Sequence, residues 1–166
     1  MKSWRTPILA GALALAPLVG QAAGGDGSDL AGPLRAAAAA LASAAPNTDP
    51  MKPLTEVVGL LSQVAERAKL SPDVRKRVDG AHAGLRKGAW SAEWAAVGEL
   101  NEAYAALNGG RRFTFPPGVR SGEQAREAYR LEVDRAVDAL EKGRPADAAK
   151  PILESLMLVT TRMETH

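Results

Sequence analysis

Beyond about residue 28, apolar side chains recur every three or four positions, and proline, glycine and serine break the pattern at intervals. That spacing puts the apolar groups on one side of successive α-helices. Residues 34–45 form an alanine-rich segment with Leu34 and Leu41 to bury. Pro46 to Pro50 end it, since proline disfavours helix in the residue before it and carries no N–H. Pro53 suits the first turn of the next helix, where Leu54, Val57, Val58, Leu61, Val64 and Ala68 make one stripe. Ser71-Pro72 is an N-cap followed by proline at the first helical position. Val74, Val78, Ala81 and Leu85 then line one face, and Lys87-Gly88 closes the helix. Ser91 starts another, with Trp94, Val97, Leu100, Tyr104 and Leu107 inward and Asn108-Gly109-Gly110 as its stop. Ser121 and Gln124 have the spacing of a capping box. The helix after them buries Tyr129, Val133, Ala136, Val137 and Leu140 and ends at Lys142-Gly143. Pro145 opens the last helix, with Ala148, Ile152, Leu156, Val159 and Met163 inward and Pro151 predicted to kink it.

Two stretches echo each other 55 residues apart. Val78-Asp79, Ala81, Leu85, Lys87-Gly88 and Glu99 return as Val133-Asp134, Ala136, Leu140, Lys142-Gly143 and Glu154. Each reads as helix, Lys-Gly turn, helix. A turn of a few residues forces the two helices antiparallel. The pattern therefore predicts an all-α fold of five or six antiparallel helices, stacked as αα-hairpins into a helical bundle. About a fifth of the residues are alanine, the best helix former, which supports the same class.

The first residues follow a different pattern. Met1-Lys2-Ser3-Trp4-Arg5 is a basic start, residues 8–20 are an apolar run, and small residues follow at Gly20 and Ala22. This is the three-part form of a secretory signal peptide, with cleavage expected after Ala22. The run is too short to cross roughly 30 Å of hydrocarbon as a helix. The chain thus divides into a signal peptide (1–22), a Gly-rich flexible leader (23–33) and a single helical-hairpin domain (34–166). The expected location is the periplasm, without stable membrane insertion after cleavage. Lys2 and Arg5 leave with the signal, so the basic residues fall by two and equal the 19 acidic ones. A neutral chain has no general pull on nucleic acid, which is not expected as a partner. There is no cysteine, which excludes disulfides, thiolate metal sites and covalent c-type haem.

The last hairpin carries Ala136, Ala139 and Leu140 inward, Gly143 at the turn, Pro145 at the helix start and Ala148 at a close approach. In these residues it resembles the hairpin of YfdX-type exported bacterial proteins, small all-helical proteins associated with stress protection. It is also similar to half of a tetratricopeptide repeat, although the 55-residue echo departs from that family's period of 34. The resemblance implies a helical periplasmic protein that binds other proteins, with no catalytic residues to carry over.

Candidate chemistry is sparse. His82 follows Asp79 by three residues, so one helix face presents both, yet a single His–Asp pair lacks the ligand count of a metal site. Thr160-Thr161-Arg162, with His166 four residues beyond the arginine, resembles the C-terminal end of the b562-type four-helix cytochromes. The resemblance implies His166 as an axial haem ligand, but no methionine stands in the first helix to be the other. Glu99, Glu102, Glu127 and Glu132 lie among basic residues and read as solvated surface with occasional ion pairs. No nucleophile stands beside a base, so no enzyme is expected.

The connection 109–120 is the most distinctive segment. It holds both phenylalanines, Phe113 and Phe115, with Arg111, Arg112 and Arg120. An extended chain there puts Phe113 and Phe115 on one side and Arg112 and Thr114 on the other. Arginine with aromatic groups suits a protein partner, and so does the pair Trp90 and Trp94 if exposed. The alternative is a lid, with both phenyl rings plugging the bundle. The expectation is a periplasmic, non-enzymatic binding or adaptor protein, chaperone-like or stress-related. It would have no cofactor and would act through a groove between hairpins and this loop. The alternative is a haem- or metal-binding bundle using His82 or His166.

Overall fold

The computed structural model describes residues 25–43, 50–88 and 90–163, with side chains for all of these except 90–94 and 161–163. The expected signal peptide, the break at 46–49 and His166 lie outside the described residues, as do the side chains of Trp90, Trp94 and Met163. Among the described residues every regular element is helical. A 3-10 turn, Ser28–Leu30, leads into α1 (Ala31–Ser43). Then come α2 (Met51–Arg67), α3 (Pro72–Arg86), α4 (Trp90–Leu107), α5 (Gly122–Glu141) and α6 (Pro145–Met163).

The helices form two sets of four that share a pair. α1, α2, α6 and α5 pack in a ring, and so do α2, α3, α4 and α6, with α2 against α6 as the common seam. The hairpins α3–α4 and α5–α6 have the most extensive packing, as their short turns dictate. α6 touches α2, α4 and α5, and its sequence suits that position. Ala148, Ala149, Ile152, Leu153, Leu156, Met157 and Leu158 are all buried, more than one stripe can hold. Among its described side chains, two buried hydroxyls are satisfied within the helix: Ser155 donates to the Ile152 carbonyl at 2.7 Å and Thr160 to that of Leu156 at 2.8 Å. Pro151 lies inside this helix as expected, and the helix is continuous through it.

The helix ends follow the sequence signals except at α4, which begins at Trp90, so Ser91 lies inside the helix and does not cap it. The Ser71 side chain accepts from the Val74 N–H, and Ser121 with Gln124 forms a full capping box. Both Lys-Gly turns put the glycine in the left-handed region, Gly88 at φ 67° and Gly143 at φ 69°. The echo in sequence is thus an echo in local structure.

The leader needs correction. Helix begins at Ala31, three residues before the expected start, and the chain is already packed from Gly25. Leu30 and Ala31 are buried. Asp26 accepts from the Ser28 N–H at 3.0 Å, and Arg67 at the end of α2 makes two hydrogen bonds to Asp29, at 2.7 and 3.1 Å. The glycine content of 23–33 hid this anchor, which a single buried leucine and two aspartates supply.

Only one non-glycine residue among the described ones has positive φ. Lys69, at φ 52°, turns the chain out of α2 while the Leu70 N–H reaches back to the Ala65 carbonyl. A side chain in this region costs about 1 kcal/mol. Lys69→Gly is therefore expected to raise stability by about 0.5–1 kcal/mol in urea titration, and a loss would show that the Lys69 side chain matters more than its backbone.

Candidate functional site

α2 is covered on three sides, by α1, α3 and α6. The side away from α6 is open. An exposed groove of about 1050 Å³ runs along it between α1 and α3. Its walls are small: Pro33, Ala36 and Ala37 on α1, and Gly59 in the middle of α2. Leu60 and Leu85 form apolar floor, while Lys52, Glu56, Gln63 and Arg86 stand exposed at the rim. An α-helix rises 1.5 Å per residue, so the stretch of α2 from Met51 to Gln63 is about 18 Å long.

Gly59 explains where His82 sits. A Cβ at Gly59 would lie 2.9 Å from His82 Nε2, inside contact distance. Glycine in a helix interior costs about 0.5–1 kcal/mol relative to alanine. Here its missing side chain lets the imidazole lie across α2 at the groove floor. Asp79, the partner expected from sequence, instead accepts a hydrogen bond from the Ser62 hydroxyl. Among the described residues no three His, Asp or Glu side chains converge as a metal site.

The 109–120 connection lies elsewhere, and no residue of it lines the groove. Groove and loop are therefore two places, where the sequence suggested one acting surface. The loop is partly a lid and partly surface. Phe113 is half-buried and meets Tyr104 edge-on at 5.7 Å between ring centres. Phe115 packs edge-on against Phe113 at 5.6 Å and remains 39% exposed. Such edge-on pairs contribute about 0.5–1.5 kcal/mol each beyond their burial. Arg111, Arg112 and Arg120 are exposed. Arg112 pairs with Glu102 at 2.7 Å, and the Arg120 N–H is held by the Gln124 side chain at 2.7 Å.

Glu132 departs from the place the sequence suggests. Glu132 is not solvated surface: its side chain is only 14% exposed, at the seam of α5 and α6 beside Glu154. Arg135 donates to Glu132 Oε1 at 2.7 Å. Glu132 Oε2 is shielded from solvent and has no donor among the described residues. Burial first, and the neighbouring Glu154 second, push the Glu132 carboxyl up to about 7. A Glu132 carboxyl that keeps its proton is itself a hydrogen-bond donor, which the carboxylate is not. Tyr104, buried on α4, donates its hydroxyl to Glu154 Oε1 at 3.2 Å. Burial and then the charge of Glu154 raise the Tyr104 hydroxyl above its usual range, so it remains a donor.

The signal for Glu132 was present in the chain. Tyr129, Glu132, Val133 and Ala136 follow the same three-and-four spacing as the apolar stripe, so Glu132 belongs to the buried face. Glu99 and Glu102 form the ion pairs expected of them, with Arg77 and Arg112. Gly59, by contrast, is a lone glycine in a helical pattern, and nothing in the chain pairs it with His82. Comparison of the chain with protein-family models, curated proteins and solved structures found no match.

Proposed function

We propose that this chain is an exported, non-enzymatic helical binding protein that receives an apolar segment of a partner protein in the groove over α2. The observation that carries the proposal is the groove itself: about 1050 Å³, with small residues in its walls, leucine in its floor and charge confined to the rim. Specific protein interfaces have that arrangement of apolar centre and polar rim. Its length of about 18 Å admits three turns of helix or five to six extended residues. Residues 1–22 would direct the chain to the periplasm, so the partner would be a periplasmic or secreted protein. The likeness of the last hairpin to YfdX-type proteins supports the same class.

A photo-crosslinking residue placed at Gln63 or Lys52, with the natural N-terminus kept, tests this in cells. Both positions should give adducts with a periplasmic protein, and Ala36→Arg, which fills the groove from an exposed helix position, should reduce them at least tenfold. Equal adducts from a crosslinker at exposed Glu127 on α5, or adducts indifferent to Ala36→Arg, would contradict the proposal. The alternative, a haem- or metal-binding bundle, draws on His82 at the groove floor. A Soret shift on adding haem that is lost in His82→Ala would favour it.

A further inference from the structure

We propose that the proton shared by Glu132 and Glu154 clamps the 109–120 loop to the bundle, and that losing it releases the loop. The two major hairpins have the same register. In α3–α4, Arg77 and Glu99 stand eleven residues either side of Gly88 and form an ion pair at 3.4 Å. In α5–α6, Glu132 and Glu154 stand eleven residues either side of Gly143. The first seam is neutralised by a fixed cation. The second has an acid where the first has Arg77, so two carboxyl groups meet there instead of an acid and a base.

Two routes lead from this pair to the loop. The first is aromatic: the Tyr104 hydroxyl donates to Glu154, the Tyr104 ring supports Phe113, and Phe113 supports Phe115. The second is polar. Lys150 lies 4.0 Å from Glu154 and donates to Asn108 Oδ1 at 3.0 Å, while Asn108 Nδ2 donates to the Arg111 carbonyl at 3.2 Å. When the proton leaves, two carboxylates face each other in a poorly solvated seam. Glu132 is the more enclosed and is held by Arg135. Glu154 is 23% exposed and has Lys150 one turn before it on the same helix, so Glu154 is the one that turns outward. That motion removes the acceptor of Tyr104 and draws Lys150 from Asn108, loosening both routes together.

The charged and titratable groups around Glu132 are Glu154 and Lys150 on α6, Arg135 on α5 and Tyr104 on α4, whose hydroxyl is in turn influenced by Arg111 in the loop. The cations Lys150 and Arg135 favour ionisation, but burial and the paired carboxylate outweigh them. Arg35, from α1, is turned to Asp134 and Glu141 instead. Release of the loop is a property of the fold, independent of whether the groove over α2 binds a partner.

The absence of cysteine makes the test direct. In Thr114→Cys the exposed loop carries the only thiol, and a nitroxide attached there reports loop mobility by electron paramagnetic resonance. Between pH 5 and 9 the immobilised component should give way to a mobile one with a midpoint near 7, while helical circular dichroism stays constant. Glu132→Gln, whose amide can donate to Glu154 as the protonated acid does, should keep the label immobilised throughout. Glu154→Gln should do the same and serves if the first variant folds poorly. Mobility that ignores pH, or a transition that persists in both variants, would overturn the proposal.

Discussion

Replacing Leu156 by alanine is expected to lower the unfolding free energy by about 3–4 kcal/mol. Leu156 is fully buried on α6, which with α2 forms the seam that both four-helix sets share. Removing its branched end leaves a cavity that α2, α4 and α5 cannot close at once, since each is also held by other neighbours. The spread of such losses, about 2–5 kcal/mol, depends on how far a site can collapse, and a helix enclosed on three sides collapses least. For a chain of this size the melting temperature should fall by about 10 °C. The control is Leu131→Ala on α5, where the side chain is 54% exposed and the change should stay within about 0.5 kcal/mol. Similar losses at Leu131 and Leu156 would mean that α6 is not part of the shared seam.

The second large effect is a dependence of stability on pH. The Glu132 carboxyl is pushed up to about 7 in the folded protein, against 4.5 for the ordinary group. Between those values the folded chain holds a proton that the unfolded chain has released. Stability is therefore fully present below about pH 4.5, falls as pH rises toward 7, and levels off above it. A shift of this size corresponds to about 3 kcal/mol. Glu132→Gln removes the ionisation and should be more stable than the natural protein by about 2–3 kcal/mol at pH 8. At pH 4.5 the two should be nearly equal. Urea titrations at the two pH values measure both numbers. The lowered carboxyl of Asp29, held by Arg67, acts in the opposite sense and only at more acidic pH, so it does not mask this window. A Glu132→Gln variant less stable than the natural protein at pH 8 would show that the carboxylate is paired.

Most of the helices were legible because their signals are local. The Ser71-Pro72 start, the capping box of Ser121 and Gln124, and the Lys-Gly turns each involve residues a few positions apart, and each behaves as its chemistry requires. The leader was misjudged because its order comes from distant partners: Arg67 for Asp29, and the α5 packing that buries Leu30. The groove was legible only as an expectation of some groove between hairpins. Its location depends on which side of α2 is left uncovered, which topology decides. Phe113 and Phe115 were placed correctly on one side of an extended segment, but only the fold separates the ring that plugs from the ring that stays exposed. Glu132 is the opposite case. Its position on the stripe was readable, and its charge argued it outward; what overrides the charge is Glu154, 22 positions along the chain and reached only by closing the hairpin.

Whether Glu132 keeps its proton up to about pH 7 decides both the loop clamp and the pH dependence of stability. Carbon-13 NMR of the glutamate side-chain carboxyls, followed from pH 3 to 9 and assigned with Glu132→Gln, observes it directly. Glu132 should titrate near 7. A Glu132 carboxyl that ionises near 4.5, like a residue in open water, would contradict the shared proton, the loop clamp and the fall of stability between pH 4.5 and 7.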